Sequence, residues 1–474
     1  MKTTKIFILL FSITLFTTSC SSDDDNATQP NPTPQQQNIV EIALETPELT
    51  SLVTALSRAD GDLVSILSGN GPFTVLAPTN AAFTAFLNAN GFSSLEQVPT
   101  DVLSQILLNH VIMADVVSSD LIAAGSGYAS GSASGSGGLN ISIFFDTTNG
   151  VRFNNAASVS TADIDASNGT IHIINGVLGL PDVVDHAIAN PSFTSLVTAL
   201  GAADGDLVTA LQGDGPFTVL APDNDAFETF LDGAPLGGIN TAILSQILLN
   251  HVIMNSTIDS QFLIDAGAGY TNSSATGPGG TDMSLYFNTS DGVKFNGIST
   301  VFQADVVGTN GIIHAVDTVI DIPTVVTFAA ADPNFSTLVE ALTTLTPGTD
   351  FASILSRTEG SNADGINPDF TVFAPTNDAF DALAAVPGEV VLTQVLLHHV
   401  VSESNITFDM LNNPGDTPAT TLEGDNIIIT LPGTGDNIGD ITDGSGASDI
   451  GIIAVDVQAG NGVIHVINKV MINN

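Results

Sequence analysis

Three segments set a histidine inside an apolar run: "GTIHIINGVL" (169–178), "GIIHAVDTVI" (311–320) and "GVIHVINKVM" (462–471). A second set sits in "LLNHVI" (107–112), "LLNHVI" (248–253) and "LLHHVV" (396–401). Imidazole can act as a general base, a metal ligand or a buried polar anchor. A zinc site needs three or four convergent ligands. Each unit repeats only two histidines, His110 with His172, His251 with His314 and His399 with His465, while His398 has no counterpart and Cys20 is the sole cysteine. Strand alternation puts Ile171 and Ile173 on one face and Thr170, His172 and Ile174 on the other, so both faces are largely apolar. The simplest state for such a ring is buried and neutral, one nitrogen donating to a carbonyl and the other accepting. These six histidines are therefore expected to hold the fold, and no metal or cofactor is expected.

Other chemistry-bearing residues read the same way. "GSASG" (131–135) matches the G-x-S-x-G hydrolase pattern at Ser134, but that pattern works only on a strand-to-helix turn. Here it lies in "GSGYASGSASGSGG", which reads as a flexible Gly/Ser tract. Asp436, Asp440, Asp443 and Asp449 lack the spacing of a 12-residue calcium loop and read as a solvated acidic connection. Asn80, Asn224 and Asn377 recur in an "AP-x-N" turn, where a side-chain hydrogen bond is expected to fix the turn. No glycine-rich phosphate cradle follows a strand, and no carboxylate pair stands out as an acid/base dyad.

The elements that carry these residues come in triplicate. "FTVLAPTNAAF" (73–83) returns as "FTVLAPDNDAF" (217–227) and "FTVFAPTNDAF" (370–380), at spacings of 144 and 153 residues. Solenoid repeats run to about 20–50 residues, so these are whole domains in tandem. Each opens with Thr46-Pro47, Asn190-Pro191 or Asp332-Pro333, read as a capping residue with proline at the first helical position. Thr79, Asp223 and Thr376 are placed to cap the helix after the "FTV" strand. The second half of each unit is β-rich, with two-residue turns expected at Asn149-Gly150 and Asp291-Gly292 and, before the histidine strand, at Asn168-Gly169, Asn310-Gly311 and Asn461-Gly462. Helices first and strands last make each unit α+β.

The "TVLAPTNxAF" boxes, the central "NH" and the terminal "IH" boxes, in order and three times over, resemble the fasciclin domain family across about 38–474. The resemblance implies three wedge-shaped β-sandwich domains, each with helices packed at one edge. It also implies a role in adhesion or extracellular binding.

Composition narrows the partners. Seven Lys+Arg stand against 50 Asp+Glu, a formal net charge of -43. Such a surface repels nucleic acid and anionic lipid, and supports at most weak, diffuse calcium association. Lys2 and Lys5, the apolar "IFILLFSITLF" (6–16) and the small residues of "TTSC" (17–20) resemble a bacterial lipoprotein signal cleaved before Cys20, with Thr17 standing where leucine is usual. The expected division is a signal peptide over 1–19, a polar tether over 20–37, and domains over 38–182, 183–323 and 324–474. The expected role is a multivalent adhesion or binding module for a surface or matrix protein or polysaccharide, held at the outer membrane by lipid alone. An envelope hydrolase or metal-dependent enzyme built on one repeat is the alternative, and a passive spacer a third reading.

Stable anchoring of a lipoprotein takes more than one acyl chain. Cys20→Ala is accordingly expected to move the protein from the membrane pellet to the soluble fraction. Retention of the variant in a salt-washed pellet would refute acylation at this residue.

Overall fold

A computed structural model describes residues 36–473; the basic start, the apolar run, Cys20 and the tether up to residue 35 lie outside the described residues. Each domain begins with a short helix, Ile39–Glu45, Val183–Ala189 or Val325–Ala331. Asn38 with Glu41 and Asp182 with Asp185 form capping boxes at the first two. The prolines then open a single 3-10 turn (Pro47–Leu49, Pro191–Phe193, Pro333–Phe335), not the α-helix that follows. Asn190 and Asp332 cap that turn through the N–H of Ser192 and Asn334, both at 3.0 Å. Thr46 does not cap; its hydroxyl donates instead to the Ile42 carbonyl at 2.7 Å. Thr79, Asp223 and Thr376 do cap the helices that follow the "FTV" strands.

Each domain carries one seven-stranded sheet, closed into a barrel in the first. The opening strands Phe73–Pro78, Phe217–Pro222 and Phe370–Pro375 pair in parallel with the histidine strands Gly169–Ile174, Gly311–Val316 and Gly462–Ile467. Every residue of the opening strands is buried. Phe73, Val75, Ala77, Ile171 and Ile173 face the helices, while Leu76 and Ile174 join Ile143, Phe145 and Phe153 on the other side. A helical layer and the interior of the sheet thus share one parallel strand pair, which is why its sequence is apolar on both faces. The architecture is α+β, a barrel-like sheet with helices packed against it, in line with the expected fold.

The turns in the first domain do not fall where expected. Phe145 pairs with Phe153 and Asp146 with Arg152, so five residues, 147–151, connect those strands. Asp146 fills the loop's mouth, accepting from the Thr148 N–H at 3.1 Å. Before the histidine strand, Ala166 pairs with Gly169, which makes Ser167-Asn168 the central pair. The Gly/Ser tract is ordered: Ser126–Ser134 is a strand paired with Asn140–Asp146. Glycine is what lets it pack so closely, since a Cβ at Gly127 would lie 3.2 Å from the Phe145 ring and one at Gly131 3.0 Å from Asn109 Oδ1.

Neighbouring domains dock by a repeated scheme. Ser142 Oγ accepts from the Val307 N–H at 3.0 Å, and Ser284 Oγ from the Gln458 N–H at 3.0 Å. A Cβ at Gly135 or Gly277 would come within 2.7 Å of the Gly308 or Ala459 carbonyl of the next domain. The chain's three tyrosines all serve these junctions. Tyr128 packs on the second domain's core and lies edge-on to His186 at 5.9 Å. Tyr286 belongs to the third domain's core, and Tyr270 meets Phe328 at 5.9 Å while its hydroxyl donates to Asp332 at 3.0 Å.

Domains of this size usually unfold cooperatively. Fragments 38–182, 183–323 and 324–474 are each expected to show a cooperative calorimetric transition. The third fragment is expected to melt lower alone than in the tandem, because Tyr270 and Tyr286 complete its core. Tyr270→Ala in the full chain removes one of these rings and is expected to destabilise the third domain by about 2 kcal/mol or more. An unchanged transition in this variant would mean that the junction adds nothing to stability.

Candidate functional site

The repeated histidines sit at two levels of each domain. His110, His251 and His399 follow the helices Thr100–Leu108, Thr241–Leu249 and Glu389–His398. Their Nδ1 donates to the carbonyls of Ile106, Ile247 and Val395 at 2.7–2.8 Å. Their Nε2 accepts from the N–H of Leu178, Ile320 and Met471, each at 2.9 Å. Each ring therefore sews a helix end to the segment just past the histidine strand. Burial pushes all three down to about 4, with the carbonyl bond opposing.

The strand histidines use the opposite tautomer. Nε2 of His172, His314 and His465 donates to the carbonyls of Val116, Ile258 and Ile406 at 2.7–2.9 Å. Nδ1 accepts, at 3.2–3.4 Å, from the N–H of Asp163, Asp305 and Asp456. These aspartates sit at strand irregularities with φ of 57–60°, a left-handed conformation that Asp tolerates better than most residues. Their carboxylates accept in turn from the N–H of Ser118, Ser260 and Phe408. Burial lowers the pKa of His314 and His465, against the raising influence of the carbonyl and the nearby aspartate. In all six rings both nitrogens are engaged by backbone, so no lone pair is left to bind a metal or take a proton from a substrate.

The asparagines reach further than their own turn. Asn80 Oδ1 accepts from the Ser51 N–H at 2.8 Å and its Nδ2 donates to the Pro47 carbonyl at 3.0 Å. Asn224 and Asn377 repeat both bonds, to Ser195 and Pro191 and to Thr337 and Pro333. They clamp the 3-10 turn to the helix beyond the "FTV" strand. A set missed in the sequence does similar work: Asn168, Asn310 and Asn461 each donate to two carbonyls of the short-helix region and accept from Ile39, Val183 or Val325. Their signal was visible as the residue just before the glycine of every histidine strand, as was the aspartate nine residues before each strand histidine.

Ser134 ends a strand, not a strand-to-helix elbow, and its N–H donates to Gln105 Oε1 at 3.0 Å. The acidic connection of the third domain is not uniformly solvated. Asp440 and Asp443 are buried. Asp440 accepts from the Thr434 N–H and Asn437 Nδ2, and Asp443 from the N–H of Ser445, Ala447 and Ile472. Asp449 pairs with Lys469, and Asp436 is exposed. The four carboxylates thus serve separate tasks. His398 lies buried in this region, with Thr421 Oγ1 at 3.1 Å and Glu423 at 3.5 Å from Nδ1 and the Gly444 N–H on Nε2. Among the described residues no group of three or more His, Cys, Asp and Glu is placed to hold a metal ion.

His172→Ala, His314→Ala and His465→Ala each leave a buried carbonyl and N–H unpaired and open a void, an expected loss of about 1–3 kcal/mol read by denaturant unfolding. Tight stoichiometric zinc binding that these changes abolish without loss of stability would overturn that role. The pH dependence follows from the depressed pKa values of His110, His186, His251 and His399, all about 4. Between there and the usual value near 6.5 the unfolded chain binds more protons, so stability falls as pH drops through that window and levels off below it. A flat unfolding midpoint between pH 7 and 4 would contradict these neutral buried rings.

Comparison with known proteins matches the fasciclin domain model at 47–181, 191–323 and 333–473. Human periostin is 26% identical over 431 residues, covering 86% of this chain and 44% of periostin. Transforming growth factor-beta-induced protein ig-h3 of Sus scrofa is 25% identical over 459 residues, 92% of this chain and 57% of the relative. The chain thus spans about half the length of these two relatives. Protein sll1483 of Synechocystis is 36% identical over 146 residues, 31% of this chain and 75% of that protein. A solved FAS1 domain pair from the insect cell adhesion molecule Fasciclin I is 18% identical with a TM-score of 0.36, over 58% of this chain and 97% of that one. With three matched copies spanning nearly all described residues, the chain belongs to the fasciclin domain family.

Proposed function

We propose that the protein is a lipid-anchored surface module that binds a cell-surface or matrix protein or polysaccharide through three fasciclin domains in fixed succession. The observation that carries this reading is the repeated junction. Ser142 and Ser284, with the three tyrosines, hold like domains in a set geometry, so equivalent surfaces recur along the array. Weak contacts repeated in this way add through effective concentration. Family membership favours binding over catalysis, and so does the complete engagement of the repeated histidines by backbone. Acylation at Cys20 would leave the array reaching outward from the outer membrane. Its acidic surface would gather calcium only diffusely.

The three-domain chain is expected to bind immobilised envelope or matrix material at least about tenfold more tightly than the best single domain. Ser134→Ala is expected to leave that binding intact. Equal retention of single and triple forms would remove the multivalent reading. Turnover of an ester or glycoside abolished by one point change would move the protein to the enzyme class.

A further inference from the structure

In the second and third domains a layer of short helices over the opening strand leaves a cavity, and the larger one is in the third. A cavity of about 60 Å³ lies there between the helices Val325–Ala331, Ser336–Thr343 and Phe351–Leu355 and the strand Phe370–Pro375. The same place in the second domain holds about 20 Å³, enclosed by buried residues such as Leu196, Leu211 and Val219. Two small residues stand at the rim of the larger cavity. Where the first domain has Leu44 and Val64, and the second Ile188 and Val208, the third has Ala330 and Ala352. Both alanines are exposed and both line the cavity, so their short side chains form its mouth. Phe335, Leu338 and Phe373 form part of the wall.

No charged side chain lines the cavity, and its polar contributions come from Thr343 and from His399, whose two nitrogens are already bonded. An apolar cavity of this kind stays dry and takes apolar guests. A water-sized group needs about 10–15 Å³ of such volume, so the space accommodates a file of roughly four or more. A linear alkyl segment threaded between the two alanines suits a cavity of that volume. Charge selects further. In the third domain Arg357 is paired with Asp364 and Lys469 with Asp449, and the chain is strongly acidic. An alkyl carboxylate would bring an anion to this surface with no cation at the cavity to meet it.

We propose that the third domain binds the alkyl chain of an uncharged amphiphile in this cavity, a binding site separate from the adhesive role. The test titrates 1-octanol and octanoate into the full chain carrying Cys20→Ala at pH 7, read by calorimetry. The expected result is one site for octanol, with octanoate at least tenfold weaker. Ala330→Ile with Ala352→Val copies the second domain, and is expected to weaken octanol at least tenfold while the third domain's cooperative transition persists. Should that pair misfold, Ala330→Ile and Ala352→Val are titrated singly, each expected to weaken octanol binding. Undetectable octanol binding, binding indifferent to these changes, or equal affinity for octanoate would overturn the proposal.

Discussion

Each domain is closed by a parallel ladder between strands almost a hundred residues apart, Phe73 with Gly169 through Pro78 with Ile174 in the first. That ladder is the constraint on which the rest depends. It is covered by helices on one side and by the rest of its own sheet on the other, so every residue in it but the half-buried Gly169 is shut from water. A parallel pair needs a long crossover, and here the crossover is nearly the whole domain. Every intervening element must therefore finish its backbone hydrogen bonds inside a crowded interior. The histidines answer this need. Each of the six repeated rings spans two backbone groups that cannot meet directly, a carbonyl on one segment and an N–H on another, and so spares both an unpaired burial.

The same logic explains the heavy use of Asp and Asn. Asp163, Asp305 and Asp456 accept an irregular backbone conformation, give their N–H to a histidine and take a neighbouring N–H on the carboxylate. Asn168, Asn310 and Asn461 hold the short-helix region against the final hairpin. A part of the acidity that looks like a solvated coat thus also fixes the backbone.

This bears on what the sequence could disclose. The triplicate boxes, the α+β order and the caps at Thr79, Asp223 and Thr376 were legible, because they rest on local spacing and short-range hydrogen bonds. The opening 3-10 turns were not, since proline's fixed φ suits either helix type. The strand at 126–134 was misread because glycine and serine signal flexibility in isolation. Here they are selected by the Phe145 and Ile143 side chains packed over them, a partner several residues on. The reach of Asn80 across 29 residues to Ser51 likewise has no local signature. Ser134 and the four aspartates were weighed on motif spacing, and their actual tasks depend on which backbone N–H groups the fold brings near.

The junctions show how identical scaffolds become distinguishable. At the first, Asn190 Nδ2 donates to the Tyr128 oxygen; at the second, the Tyr270 hydroxyl donates to Asp332. Beneath these pairs, His186 is exchanged for Phe328. The serine-to-backbone bond is common to both, so it sets the relative placement of domains, while the side-chain pairs differ in donor, charge and ring chemistry. In the third domain Ile428 occupies the position of Ser142 and Ser284, and Thr430 that of Phe144 and Tyr286, so its outer face cannot make the same bond. The scheme therefore has a direction: Ser142 and Ser284 each face the succeeding domain, and the third domain carries Ile428 at that place.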